Sequence, residues 1–380
     1  MGNGDVGMAS PAKYVMVKEQ IREWIRTGKV KPGQKIYSEN ELIKMFRVSR
    51  HTIRQAVGDL VHEGLLYREQ GAGTFCAFPQ EERASGESQE ARKYIGVITT
   101  YISDYIFPSI IRGIESYVTN KGYSLILACT YNNLSKEAQC LESMLQRPIA
   151  GLIVEPTESS TYNPNIRYYL ELEQRKIPYV MINQYYPQLD PPHIIMDDKK
   201  GGWMATHHLL ELGHRKLMGI FKTDDLQGVY RMQGFMDACR EAGVSVKPEW
   251  LITYRTEELG EEVVRRVRGE LEREEERPTG IVCYNDQLAV KVLDVLRELG
   301  IRVPEEMSLV GYDDSYLAEA TEIKLTTVEH PKTQMGLDAA KWVMRAIERG
   351  KRDGEEPGSI VYEPKLVIRS STAPVAVGTA

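Results

Sequence analysis

Apolar positions recur at helical spacing in two short stretches near the N-terminus, each opened by a hydroxyl residue. Ser38 with Glu41 three residues on forms a capping-box pattern, and Leu42, Ile43, Met45 and Phe46 stripe the helix it opens. A turn at Arg47–Val48 follows, and Ser49 caps a second helix whose Ile53, Val57, Leu60 and Val61 face inward. The other face of that helix's first turn shows Arg50, His51, Thr52 and Arg54. Gly64 ends it, and Leu65–Tyr67 and Thr74–Cys76 make two β-runs around Gly71-Ala-Gly73, a glycine-tipped hairpin. Two helices and a hairpin wing predict a winged helix-turn-helix, whose second helix enters the DNA major groove.

From Lys93 the pattern alternates between strand and helix. Strands are predicted at Tyr94–Thr99, Tyr123–Ala128, Ile149–Val154 and Ile177–Ile182, separated by helices at Pro108–Lys121, Ser135–Gln146 and Ile166–Lys176. A break at Gln184–Pro192 precedes a second series: helix Asp197–Leu212, strand Lys216–Phe221, helix Gln227–Ala242, strand Thr279–Cys283, helix Gln287–Leu299 and strand Ser308–Gly311. A long amphipathic helix, Pro331–Arg349, and β-runs at Ile360–Tyr362 and Leu366–Ile368 complete it. Two successive α/β blocks predict two doubly wound parallel-sheet lobes, with ligand in the cleft outside the strands' carboxyl ends. The expected domains are a leader at 1–10, a winged-helix domain at 11–78, a linker at 79–92, a two-lobed domain at 93–371 and a tail at 372–380. The linker, PQEERASGESQEAR, lacks the apolar content to bury a core.

Charge sharpens this division. The net charge of −6 argues weakly against nucleic acid, yet the first eighty residues hold twelve basic and eight acidic side chains, a balance of +4, which leaves −10 for the rest. The five cysteines, Cys76, Cys129, Cys140, Cys239 and Cys283, follow no metal-ligand spacing and read as small buried hydrophobes in a reducing cytoplasm. No apolar run reaches membrane-spanning length, and no hydrophobic signal region opens the chain. Gly2-x-Gly4-x-x-Gly7 follows no strand, so it calls for no dinucleotide, and no cofactor is expected. Adjacent His207 and His208 diverge on a helix and His214 sits at a helix stop, so no metal site is expected.

The Tyr14–Thr27 helix, the Gly28–Gly33 turn, Ser38-Glu-Asn-Glu-Leu42, Val48-Ser-Arg-His-Thr-Ile-Arg54 and Gln70-Gly-Ala-Gly-Thr-Phe75 closely resemble the GntR family of bacterial transcription regulators. The body carries Ile95-Gly-Val-Ile98, Pro148–Val154, Leu210-Glu-Leu-Gly-His-Arg-Lys216, Arg231-Met-Gln-Gly-Phe235, Cys283-Tyr-Asn-Asp286 and Val310-Gly-Tyr-Asp-Asp314. These phrases resemble the LacI/GalR repressors and periplasmic sugar-binding proteins. A GntR head on a LacI-like body is similar to the arabinose-operon repressors of Gram-positive bacteria, which implies L-arabinose as effector.

Side-chain chemistry assigns the head's roles. Arg50 and Arg54, four apart on one helix face, reach guanine or phosphate, and His51 and Thr52 suit base edges or backbone oxygens. Ser49 belongs to the same surface. Gly71 and Gly73 let the wing approach the minor groove with Gln70 as its reading side chain, and Lys13 is placed on phosphate. Glu39 and Asn40 accept from cytosine or bind backbone, with Glu39 equally a helix-dipole residue. The resemblance implies operator contacts by the basic residues of this helix, here Arg50, His51 and Arg54.

In the body, a sugar needs fixed polar groups for its hydroxyls and a flat apolar wall. The resemblance implies Arg231 and Asp313 as ligand contacts. Of Asn285 and Asp286, one binds ligand while the other caps a helix. Asp104, Tyr105 and Phe107 follow the first strand, as hydroxyl partner and stacking ring, with a hydrophobic staple as Phe107's alternative. Glu155 adds a carboxylate after the third strand. His330 stands where related proteins often have glutamine, and reads either as a contact or as a loop residue before Pro331.

The expected function is a cytoplasmic repressor in which a homodimer holds operator DNA and sugar binding releases it; a different sugar or a non-sugar metabolite is the alternative. An enzyme would need a phosphate loop or nucleophile elbow, and neither Walker A nor G-x-S-x-G occurs. A transport protein is disfavoured by the DNA-reading head.

Overall fold

A computed structural model of the chain describes residues 13–31, 33–63, 65–69, 73–76, 94–103, 105–273, 277–349 and 358–375. They form two compact units, Met1–Ala91 and Arg92–Ala380.

The first unit contains α1 (Lys13–Arg26), α2 (Glu39–Phe46), α3 (Arg50–His62) and a hairpin of β1 (Leu66–Glu69) and β2 (Gly73–Cys76). Local chemistry sets the turn between α2 and α3. Both halves of the Ser38–Glu41 capping box are present, and Arg47 ends α2 in the left-handed region, at φ 52°. Two residues later the Ser49 hydroxyl accepts from the Thr52 amide and starts α3. The inward faces meet in a core that includes Val17, Ile21, Leu42, Ile53, Leu60 and Leu66. The wing gains a third partner: Lys35 bridges Phe75, and the Ile36 amide donates to the Thr74 carbonyl.

In the second unit, β3 (Tyr94–Thr99), β4 (Ser124–Cys129), β5 (Ile149–Val154), β6 (Tyr179–Asn183), β7 (His193–Met196) and β13 (Ile360–Tyr362) form a six-stranded sheet in the order β13-β7-β6-β5-β3-β4. A second sheet, β14-β12-β11-β10-β8-β9, is built from β8 (Leu217–Lys222), β9 (Leu251–Tyr254), β10 (Gly280–Cys283), β11 (Ser308–Asp313), β12 (Thr326–Glu329) and β14 (Leu366–Val367). Among the described residues every pairing in these sheets is parallel except β12 with β14. Among the described residues the α-helices of this unit are α4 (Phe107–Asn120), α5 (Leu134–Leu145), α6 (Ile166–Gln174), α7 (Asp198–Glu211), α8 (Leu226–Glu241), α9 (Glu261–Leu271), α10 (Asp286–Glu298), α11 (Tyr316–Ala320) and α12 (Lys332–Arg349).

The lobes are not two successive blocks of sequence. Met335, Ala339 and Val343 of α12 are buried with Ile95, Ile110 and Val180 of the first lobe, although α12 follows the second lobe's strands. The chain therefore passes between lobes at 197, again at 330–331 and again at 363–365. The break at Gln184–Pro192 is followed by a strand, β7, and four further elements were absent from the apolar pattern as read: β9, α9, α11 and β12. For α9 the signal existed, since Val263, Val267 and Leu271 recur at helical spacing and are buried. Residues 372–375, expected as tail, begin packed: the Ala373 amide donates to Ser308 Oγ and the Val375 amide to the Leu212 carbonyl.

Candidate functional site

On the first unit, α2 and α3 present one continuous polar surface. Arg50 Nη2 donates to Asn40 Oδ1 at 2.9 Å, and Arg54 Nε lies 3.0 Å from Glu39 Oε2. Glu39 and Asn40 thus brace the two arginines, and that duty rather than a free acceptor role occupies them here. Lys13, His51 and Arg54 are exposed, while Ser49 and Thr52 hydrogen-bond each other at 2.9 Å. Gly73 has φ 129°, a conformation that favours glycine. Gln70 and Gly71 lie outside the described residues, as do Gly64 and the 79–92 linker.

On the second unit, a cavity of about 210 Å³ opens between the lobes. Its walls come from strand ends: Thr100 after β3, Glu155 after β5, Gln184 after β6, Lys222 ending β8, Tyr254 ending β9, Asn285 after β10 and Asp313 ending β11. That is the place parallel-sheet geometry assigns to a ligand. Its volume is below the roughly 300–1,000 Å³ of drug-sized pockets, which suits a small molecule. Glu155 is fixed by the Thr100 amide and hydroxyl at 2.8 and 2.6 Å and by Asn183 Nδ2 at 2.7 Å. Burial raises its pKa against those donors. Opposite stands Lys222, with Nζ 2.9 Å from Asp225 and 3.5 Å from Asp224. Burial opposes its charge, but the two carboxylates outweigh burial and hold the ammonium protonated. Phe107 and Tyr101 supply an aromatic wall, their ring centroids 5.7 Å apart.

Of the residues expected in this cleft, Tyr105, Phe107, Glu155, Asn285 and Asp313 line the cavity. Asn285 also caps α10, its Oδ1 accepting from the Leu288 amide at 2.9 Å. Tyr105 turns its hydroxyl onto the other lobe, donating to Asp313 Oδ2 at 2.7 Å and accepting from the Asp286 amide at 3.1 Å. Asp104 lies outside the described residues.

Arg231, Asp286 and His330 are not among the cavity's lining residues, and each has an internal reason. Arg231, 2% exposed, donates to Asp198 Oδ1 and the Tyr284 carbonyl at 2.8 Å and reaches Asp313 Oδ1 at 3.5 Å. Its guanidinium lies 3.5 Å from the Tyr312 ring centroid, so it braces the wall from behind. Asp286 accepts from the Thr327 hydroxyl and the Ser315 amide, both at 2.7 Å. Burial, then Asp313, pushes its carboxyl up to about 7. His330 sits at the second crossover with Nε2 3.0 Å from Asn183 Oδ1, and burial drives its imidazole down to about 3.

Sequence reasoning missed Lys222, Asp225, Gln227, Tyr101, Asn132 and Thr256 on the cavity wall. The signal for the first two was position, since Lys222 ends a parallel strand and Asp225 caps the following helix. Asn132 and Thr256 lie on rim turns that no periodicity marks. Backbone conformation singles out the same region: Tyr105, Asn132, Glu158, Asn183, Asp313 and Asp314 all have φ between 44° and 94°. Such left-handed non-glycine residues concentrate where function holds the backbone in place. Among the described residues no group of acidic, histidine or cysteine side chains is arranged to hold a metal, and no helix is long and apolar enough to cross a membrane.

Residues 13–76 match the gntR family of bacterial regulatory proteins, and residues 206–372 match the periplasmic binding protein-like domain. The arabinose metabolism transcriptional repressor of Halalkalibacterium halodurans is 54% identical over 364 residues, 95% of this chain and 96% of its own length. That of Geobacillus stearothermophilus is 48% identical over 95% of this chain and 97% of its own. The crystal structure of the transcription regulator CcpA of Lactococcus lactis superposes with TM-score 0.63 at 23% identity, covering 74% of this chain and 99% of that one, a likeness of fold alone. A LacI-type regulator from Alkaliphilus metalliredigens, solved in complex with D-xylulofuranose, gives TM-score 0.61 at 25% identity over 74% and 99%. The chain belongs to the family of arabinose metabolism transcriptional repressors, non-enzymatic regulators that bind operator DNA through a GntR-type head and carry a periplasmic-binding-protein-like body.

Proposed function

We propose that this repressor works in the cytoplasm as a homodimer, that its effector is L-arabinose bound in the interlobe cavity, and that binding lowers operator affinity. One observation carries the reading: Glu155, Lys222, Asp225 and Asp313 meet around a small cavity with an aromatic wall. Fixed donors and acceptors suit the hydroxyls of a neutral sugar, and Phe107 and Tyr101 suit its C–H face. The close relatives' names point to arabinose. Glu155, Lys222 and Asp313 are assigned to the sugar, with Tyr105 completing the wall. On the head, Arg50, His51, Thr52 and Arg54 are assigned to the major groove, Gln70, Gly71 and Gly73 to the wing contact, and Lys13 to phosphate. A dimer fits because paired heads read the two half-sites of a palindromic operator.

The test is calorimetric titration of the full chain with L-arabinose, D-xylose and D-ribose, repeated on Lys222→Met. Saturable L-arabinose binding that the variant loses is the expected result. Heat of binding that Lys222→Met leaves unchanged would place the effector elsewhere.

A further inference from the structure

The rim of the cavity carries a set of direct protein contacts that join the lobes. Asn132, in the turn after β4, donates through Nδ2 to Asp224 Oδ2 at 3.1 Å and lies 2.6 Å from Thr256 Oγ1, both on the second lobe. Its Oδ1 accepts from the Glu158 amide at 3.0 Å, so one side chain ties two first-lobe turns to the other lobe. Beside it Arg255 donates to Glu158 Oε2 at 2.9 Å, Ser160 Oγ donates to the Thr223 carbonyl at 2.6 Å, and the Leu226 amide donates to Ser159 Oγ at 2.9 Å. Asn132 and Thr256 are themselves wall residues, so these bonds lie at the ligand's boundary.

Backbone strain marks the same turns. Tyr131 and Asn132 are consecutive left-handed residues, at φ 51° and 52°, and Glu158 has φ 45°. Non-glycine residues hold that conformation only when surrounding contacts over-determine it. The contacts present here include both bonds within the first lobe, such as the Tyr131 amide to the Thr100 carbonyl, and those that Asn132 and Glu158 make across the cleft. An asparagine tolerates the left-handed region better than most residues, and here its amide is also spent on the far lobe.

We propose, building on the cavity as an effector site, that Asn132 and Glu158 form a latch that holds the lobes together over the bound sugar and sets how long it stays. Neither residue needs to touch the sugar in this role. Asn132 is a positioning residue: it stabilises the closed arrangement and leaves the recognition groups Glu155, Lys222 and Asp313 in place. Opening then precedes sugar release, so weakening the latch speeds dissociation. A merely structural Asn132 would change stability without that kinetic signature.

Two variants probe the latch in the full chain. Asn132→Gly removes the amide while keeping the left-handed backbone free of strain. Glu158→Gln removes the carboxylate charge that Arg255 pairs with and leaves Asn132 unsubstituted. In hydrogen–deuterium exchange of sugar-free protein, both should speed exchange of the Leu226 amide, which crosses the cleft but touches neither substituted residue. In stopped-flow binding of L-arabinose, Asn132→Gly should raise the dissociation rate about tenfold, the scale of one or two net hydrogen bonds, with little change in association. Glu158→Gln should raise dissociation less, because its ion pair is screened by solvent. Unchanged Leu226 exchange in both variants overturns the latch, whichever sugar binds. If wild type binds none of the sugars, the arabinose reading fails while the exchange result still decides the latch.

Discussion

A guanidinium with no path to solvent must find its partners inside the protein, and Arg231 finds them in Asp198, the Tyr284 carbonyl and Asp313. Arg231→Ala would strand those carboxylates, so chemical denaturation should show a loss of about 3–5 kcal/mol. A neutral effect would mean that the guanidinium is not part of the wall's support. His330 makes a second case. Its imidazole titrates near 3 in the folded protein, well under the ordinary 6.5, so the neutral ring is the folded form. Above pH 6.5 the group contributes no pH dependence; as pH falls below 6.5 the unfolded chain takes the proton first and stability is lost until about pH 3. Asp286 works in the opposite direction, because its folded-state value near 7 exceeds the ordinary 3.8 and acidification favours the fold. Comparing wild type with His330→Gln cancels Asp286. Between pH 6 and 4 wild type should lose about 1.4 kcal/mol per pH unit relative to the variant. Parallel stability curves would contradict the buried neutral imidazole. Residue chemistry was legible in the sequence for both, but not its direction: buried partners took over groups that looked ready for ligand.

At the scale of elements, the winged head was legible because its order is local. Ser38, Glu41 and Ser49 act on amides within three residues, so caps, turn and helices follow from adjacent sequence. In the body the strands read well where their apolar runs are continuous, as in β3 and β5, whose residues are nearly all buried. The missed strands β7, β9 and β12 have four residues each, and polar residues such as His193, Thr253 and Thr326 shorten or interrupt their apolar runs. The return of α12 to the first lobe was hidden for another reason, since an amphipathic pattern says that a face is buried but not against which partner. Glycine decides that partner's closeness. A Cβ at Gly336 would sit 2.0 Å from the Ile110 carbonyl of α4, and one at Gly113 2.2 Å from the Thr333 carbonyl of α12. Gly336→Ala should therefore force the helices apart and cost about 1–3 kcal/mol in thermal or denaturant unfolding. Full retention of stability would show that the pair is not in such close contact.

For the whole molecule, the segregation of charge that marked a basic head and an acidic body agrees with the matched families on either side. Arg50, braced by Asn40, should matter to DNA alone: Arg50→Ala is expected to weaken operator binding by about 1–3 kcal/mol and leave sugar affinity unchanged. Loss of sugar binding in that variant would contradict the division of labour. The cavity's existence was legible from the alternation of strands and helices, because strand ends must converge somewhere. Its full wall was not, because Asn132, Lys222 and Thr256 come together only when separate turns meet in space. The most direct measurement is a titration of operator DNA with the full chain at fixed salt, without and with saturating L-arabinose. Sugar should weaken the complex by about 5–150-fold, the usual range of coupling between two sites. The same operator affinity in both titrations would contradict it.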